Sequence, residues 1–181
     1  MNRLKQLAIR ISYYPTLWYN RLMCALGLWR RWDRVDSSIL LGSVPSRPDV
    51  AKLKSLGISV LVNMCEEFAG HQSMMAEHGI VQLHLPTRDY DCPSEADLLR
   101  GAAFMSEQIN AGRQIYVHCK AGRGRSAALV LCFLILSRRI SSLQADDIIR
   151  KVRPHINRNL TQHPQVQAIE RMVRDDSLPS M

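Results

Sequence analysis

The apolar positions of this chain change their period along its length, and the change marks where strands give way to helices. From residue 35 onward, "SILLGSVP" (38–45), "ISVLVNM" (58–64), "VQLHLPT" (81–87) and "QIYVHC" (114–119) are short runs rich in β-branched and alternating apolar residues, which predict strands. Between them, residues 48–55, 71–78 and 94–111 carry apolar side chains at helical spacing. The third of these has the clearest ends. Ser94 is placed as its N-cap with Asp97 three residues on, Leu98, Ala102, Met105 and Ile109 share one face, and Gly112 stands just past its end. After residue 125 the pattern is helical throughout: an apolar run at 126–137, then 142–152, then 163–174. Ser141 and Gln144 form a capping box for the second of these, which stops before Pro154. The third has Pro164 in its first turn and Val166, Ile169 and Val173 on its inner face. Strands alternating with helices, then helices alone, predict an α/β layered domain, a sheet with helices on its faces. No internal repeat interrupts this plan.

Residues 1–32 follow a different pattern. Arg3, Lys5, Arg10, Arg21, Arg30 and Arg31 have no acidic neighbour before Asp33, and Tyr13, Tyr14, Trp18, Tyr19, Trp29 and Trp32 are interleaved with them. Leu4, Leu7, Ala8 and Ile11 repeat at helical spacing. A basic segment with an apolar and aromatic face suits a membrane interface, packing against the domain, or a targeting role. The expected organisation is therefore a basic, aromatic-rich segment (1–32), a globular α/β domain (33–175) and a short tail (176–181). A length of 181 residues suits one well-buried core. The longest apolar stretch, residues 127–136, is well short of the ~20 needed to span a bilayer.

Charge narrows the partners. Twenty-four Lys and Arg against sixteen Asp and Glu give a net charge of +8, which favours an anionic partner such as nucleic acid, acidic lipid or a phosphorylated substrate. No recognised motif or stacking array supports nucleic acid, so none is expected as a partner. Five cysteines, an odd number without metal-ligand spacing or a secretory signal, point to a reducing, intracellular setting.

The chemistry concentrates in "HCKAGRGRS", residues 118–126. A buried strand ends at Cys119, Lys120, Ala121, Gly122, Arg123 and Gly124 form a tight loop, and Arg125 with Ser126 opens an apolar helix. Converging loop N–H groups and the helix N-terminus bind an oxyanion. Gly122 and Gly124 are expected to supply positive φ values and close backbone approach. The Arg125 fork can hold two phosphate oxygens. In the same field a thiol, ordinarily near ~8.5, falls to roughly 3.5–7.5, so Cys119 is expected to be a thiolate nucleophile. The competing reading is an inert buried cysteine at a strand end.

These nine residues resemble the Cys, five residues, Arg signature of the protein tyrosine phosphatase superfamily in its dual-specificity branch. The resemblance implies a dual-specificity phosphatase-like fold, a central mixed, mostly parallel sheet with helices on both faces. It also implies that Cys119 forms a phosphocysteine intermediate, Arg125 binds the phosphoryl oxygens, Ser126 steadies the departing thiolate and His118 helps set its pKa. Neither metal nor other cofactor is implied. The family's general acid lies on a separate upstream loop, and "PTRDY" resembles that segment, which selects Asp89, with Asp91 the second candidate.

The wider match, "YPTLWYN" (14–20), "RVDSSILLGSVPSRPDVAKLKSLGISVLVNMCEEF" (34–68) and "LPTRDY" (85–90), resembles the mitochondrial-type phosphatases that act on phosphatidylglycerophosphate in the cardiolipin pathway. It implies an anionic phospholipid substrate, a membrane-associated monomer, and a mitochondrial inner membrane in a eukaryote or the cytoplasmic membrane face in a bacterium. Lys120 and Arg123 add charge that a neighbouring phosphodiester would use, with ordinary surface charge lining a phosphatase mouth as the plainer reading. Glu66, Glu67 and Phe68 match the family's acidic pair and aromatic, with two solvated acids and a core aromatic as the plainer reading. Cys65 or Cys92 is a partner for an oxidised Cys119 or simply an unreactive thiol. A phosphoprotein substrate, a phosphoinositide substrate and a non-catalytic phospho-ligand module remain the alternatives.

Overall fold

A computed structural model describes residues 15, 17–19, 22–24 and 26–177. The proposed amphipathic repeat at Leu4 to Ile11, together with Tyr13 and Tyr14, lies outside the described residues. Five strands, β1 (Trp32–Arg34), β2 (Ile39–Ser43), β3 (Ile58–Cys65), β4 (Val81–Thr87) and β5 (Gln114–Cys119), form one sheet in the order β1-β2-β5-β3-β4. β1 runs antiparallel to β2, and all other pairings are parallel. Among the described residues, six α-helices follow β2: α1 (Arg47–Ser55), α2 (Gln72–Glu77), α3 (Glu95–Asn110), α4 (Arg125–Arg138), α5 (Ser142–Val152) and α6 (Pro164–Arg174), with a 3-10 turn at Leu160–Gln162. This is the mixed, mostly parallel α/β architecture expected.

Each face of the sheet is covered because successive strand residues point to opposite sides. In β5, Ile115, Val117 and Cys119 join the larger core with α3 to α6, whereas Tyr116 faces the smaller one under α1 and α2. α4 occupies the middle of the larger layer, and residues 125–136 of it are all buried. That explains why its sequence is apolar on every side. The caps formed by Ser94 and Ser141 are as expected: Ser94 Oγ accepts the Asp97 N–H at 3.1 Å and Ser141 Oγ accepts the Gln144 N–H at 3.3 Å.

β1 was not anticipated. Three residues carry too little periodicity to register, and the hairpin that pairs them is closed by Asp36, whose carboxylate accepts the N–H groups of Ser38 and Ile39 at 2.9 and 3.0 Å. Ahead of it, residues 15, 17–19 and 22–24 are helical. Leu17 is buried, while Trp18, Tyr19, Leu22, Leu26 and Leu28 are all more than half exposed. Trp29 stacks on His155 at 5.5 Å, so the segment packs on the domain at this point. Among the described residues no helix is long and apolar enough to cross a membrane.

Candidate active site

Parallel pairing brings the site together at the C-terminal end of the sheet. Cys119 is the last residue of β5, between β2 and β3, with Ser43 of β2 beside it in register. Such an end, where a central parallel strand turns into a helix, is where α/β folds bind ligands. The loop 120–124 curls over it and α4 starts at Arg125.

Gly122 adopts φ +69°, and a Cβ there would collide with the Gly42 carbonyl. Both the left-handed backbone and the close approach therefore require glycine. Gly124 differs from the expectation. Its φ is −113°, so it needs no left-handed freedom, and its role is space, because a Cβ would press on Asn157 Nδ2 at 3.0 Å.

Cys119 is buried, and Ser126 Oγ donates to its sulfur at 3.2 Å. Burial by itself raises the thiol's pKa. The Arg125 guanidinium, the Ser126 hydroxyl and N–H, and the Gly122 N–H outweigh it, and the thiol is held below its usual value. Cys65 and Cys92 have the opposite balance: burial pushes Cys65 well up and Cys92 to about 11, so neither is activated as Cys119 is. His118 sits on the other face of the sheet from the thiol, stacked on Tyr116 at 5.6 Å. Burial lowers its pKa to about 3. It is a neutral group, and its influence on the thiolate is not that of a cation.

Arg125 is held by four bonds. Nη1 and Nη2 each donate to Glu67 at 2.8 Å, Nη1 also to the Thr87 carbonyl at 2.8 Å, and Nη2 to Asp89 at 2.9 Å. Burial opposes its charge, but the Glu67 hydrogen bonds overcome this and raise its pKa. Glu67 is itself presented by a turn that Asn63 organises, donating to the Phe68 carbonyl at 2.7 Å and accepting the Cys65 N–H at 3.0 Å. The plainer reading of Glu67 as a solvated acid is replaced by this bidentate pair. Glu66 lies outside it, 3.8 Å from Arg88.

Asp89 lies at the pocket, paired with Arg125 and with Lys120 Nζ. Asp91 is exposed on the same rim, in a turn closed by its own N–H to the Arg88 carbonyl. Lys120 is buried and turned toward Asp89, with its ammonium 5.3 Å from the centre of the Tyr90 ring. Arg123 donates from Nε to the His155 carbonyl at 2.7 Å and lies 5.0 Å from the centre of the Trp29 ring. Around these groups is an open pocket of about 330 Å³, with Cys119 and Arg125 in its lining. Tyr19 and Tyr90 line its mouth, and Asn157, Leu160 and His163 form a wall that sequence reasoning missed. Local pattern gave no signal for that wall, since it comes from the irregular stretch after α5. A cysteine thiol of lowered pKa, an oxyanion cradle, a planar cation and a carboxylate over one pocket can carry out phosphoryl transfer.

Residues 39–172 match the model of the dual specificity phosphatase catalytic domain. The chain belongs to this phosphatase family. It is 36% identical over 167 residues to the phosphatidylglycerophosphate phosphatase PTPMT2 of Arabidopsis thaliana, covering 90% of this chain and 73% of that one. It is 34% identical to phosphatidylglycerophosphatase and protein-tyrosine phosphatase 1 of Rattus norvegicus, covering 82% of each. Among solved structures, PTPMT1 in complex with PI(5)P matches with a TM-score of 0.74 and 27% identity, over 82% of this chain and 99% of that one. As a member of this family the protein is a phosphoric monoester hydrolase.

Proposed function

We propose that this phosphatase converts phosphatidylglycerophosphate to phosphatidylglycerol at a membrane surface. The observation that carries the reading is the similarity to phosphatidylglycerophosphate phosphatases over 90% of the chain, with the cysteine, arginine and aspartate gathered over one pocket. The Cys119 thiolate attacks phosphorus while the loop N–H groups and Arg125 hold the phosphoryl oxygens. The P–O bond to the glycerol breaks, and Asp89 gives its proton to the leaving oxygen. Water then attacks the phosphocysteine and passes a proton to Asp89. The S–P bond breaks, and Ser126 donates a hydrogen bond to the returning thiolate. Leaving-group protonation contributes roughly 10²- to 10⁴-fold in such reactions.

Exposed Trp18, Tyr19, Leu22, Leu26 and Leu28 support contact with the membrane, because Tyr19 also lines the pocket mouth and no acid occurs before Asp33. The match to PTPMT1 bound to PI(5)P makes a phosphoinositide the second reading. The test compares kcat/KM on phosphatidylglycerophosphate in vesicles, on a phosphoinositide and on a phosphotyrosyl peptide, without added metal. The first substrate is expected to lead, and Cys119→Ser to release no phosphate from it. Preference for the peptide would overturn the lipid reading, and turnover by the serine variant would overturn the mechanism.

A further inference from the structure

Behind the phosphate loop, on the side away from the pocket, lies a fully buried arginine to which no role in the reaction has been given. Arg153 follows α5 and is only 1% exposed. Its Nε donates to the Gly122 carbonyl at 2.8 Å and its Nη2 to the Ala121 carbonyl at 2.9 Å. Its Nη1 donates to Asp33 at 2.6 Å and to the Arg30 carbonyl at 3.3 Å. The charge is balanced by Asp33, itself buried beside β2 and ion-paired with Arg30 at 2.6 Å. The buried pair is thus aimed at two consecutive carbonyls of the loop that binds the substrate.

A trans peptide unit is planar, with its C=O and N–H pointing in opposite directions. The Ala121 carbonyl shares its plane with the Gly122 N–H, and the Gly122 carbonyl shares its plane with the Arg123 N–H. For those N–H groups to face the anion, both carbonyls must point outward into buried space, where a carbonyl without a donor is strongly unfavourable. Arg153 supplies a donor to each. The Gly122 N–H in turn donates to the Cys119 sulfur. One peptide plane therefore connects the guanidinium to the nucleophile.

We propose that Arg153 is a positioning residue of the phosphatase reaction: by holding the Ala121 and Gly122 carbonyls outward, it turns the Gly122 and Arg123 N–H groups onto the Cys119 sulfur and the bound oxyanion. The proposal rests on the reading of this loop as the phosphate site. Without the guanidinium, either peptide is free to flip. A flip would replace an inward donor with an inward acceptor, facing both a thiolate and a phosphate. Asp33 fixes the guanidinium from behind, which ties the loop to the chain that enters β1.

The experiment measures the carboxymethylation rate of Cys119 by iodoacetate against pH, followed by mass spectrometry of its peptide, together with orthovanadate binding and thermal unfolding. Arg153→Met is expected to move the alkylation midpoint up by about one pH unit and to weaken vanadate binding roughly tenfold or more. A folded Arg153→Met protein with a lowered Tm but an unmoved midpoint and unchanged vanadate affinity would mean a structural role alone, and the proposal fails. Should the methionine variant not fold, Arg153→Lys keeps the charge opposite Asp33 but lacks the planar fork that meets both carbonyls. It is expected to move both readouts in the same direction by less, and wild-type values for both overturn the proposal. A wild-type protein that neither bound vanadate nor released phosphate would instead remove the phosphatase reading, and this proposal with it.

Discussion

Replacing Glu67 with glutamine tests how far the catalytic arginine depends on the carboxylate that holds it. Glu67 accepts both arms of Arg125 at 2.8 Å, and the Arg125 side chain is only 3% exposed, against 19% for Glu67. Glutamine keeps one acceptor, loses the charge and turns an NH2 group toward a guanidinium donor. Hydrogen bonds to charged groups contribute roughly 1.5–3 kcal/mol each, so one is lost and the other weakened. The guanidinium is not left alone, because Asp89 and the Thr87 carbonyl still accept from it. The loss should therefore stay below the ~3–5 kcal/mol of a fully broken buried pair, at about 2 kcal/mol. If this is expressed in the transition state, kcat/KM falls about 30-fold, and if in folding, Tm falls by about 4–8 °C. Steady-state hydrolysis of p-nitrophenyl phosphate and a thermal melt measure both. A Glu67→Gln enzyme within twofold of wild type, melting at the same temperature, would refute the idea that this pair positions Arg125.

Three further outcomes are expected. Asp89→Asn should lower kcat by roughly 10²- to 10⁴-fold on an alkyl phosphate and much less on an aryl phosphate with a good leaving group, whereas Asp91→Asn stays near wild type on both. Full alkyl phosphatase activity in Asp89→Asn would reassign the acid. Gly122→Ala should abolish activity and lower Tm, since the left-handed φ of +69° and the Gly42 carbonyl both exclude a Cβ; a normal kcat would show that the loop has another way to close. His118, held neutral down to about pH 3, makes the unfolded chain the better proton binder below its ordinary value of about 6.5. Its contribution is absent above about pH 6.5 and grows as a destabilisation by up to ~1.4 kcal/mol per pH unit toward pH 3. Urea unfolding from pH 7 to 4 should show a shallower loss of stability in His118→Gln, and identical slopes would contradict the assignment.

The local pattern was sufficient for everything that repeats within a few residues. Period-two runs placed β2 to β5, and the caps at Ser94 and Ser141 placed the starts of α3 and α5, because those signals are made by neighbours in sequence. β1 escaped because its partner strand and the Asp36 turn, rather than its own three residues, define it. The phosphate loop was legible for a related reason: "HCKAGRGRS" carries strand end, turn and helix start within nine residues. Even there, a glycine's spelling did not distinguish φ from space, and only the backbone separates Gly122 from Gly124.

What surrounds that loop is set by the meeting of distant segments. Glu67 lies 58 positions from Arg125, and Asp33 lies 120 from Arg153. Contacts at such separations leave no periodic trace, because the sheet order and the helix layers choose which residues meet. The sequence by itself determined the α/β class, the strand-loop-helix that binds an anion, and a basic start rich in aromatics. The tertiary structure alone decided that Asp89 pairs with Arg125 while Asp91 stays exposed on the same rim, that Lys120 turns to the Asp89 carboxylate, and that His118 is buried and neutral on the far face of the sheet. Burial and charge balance are properties of packed neighbours, and they become definite only when the chain has folded.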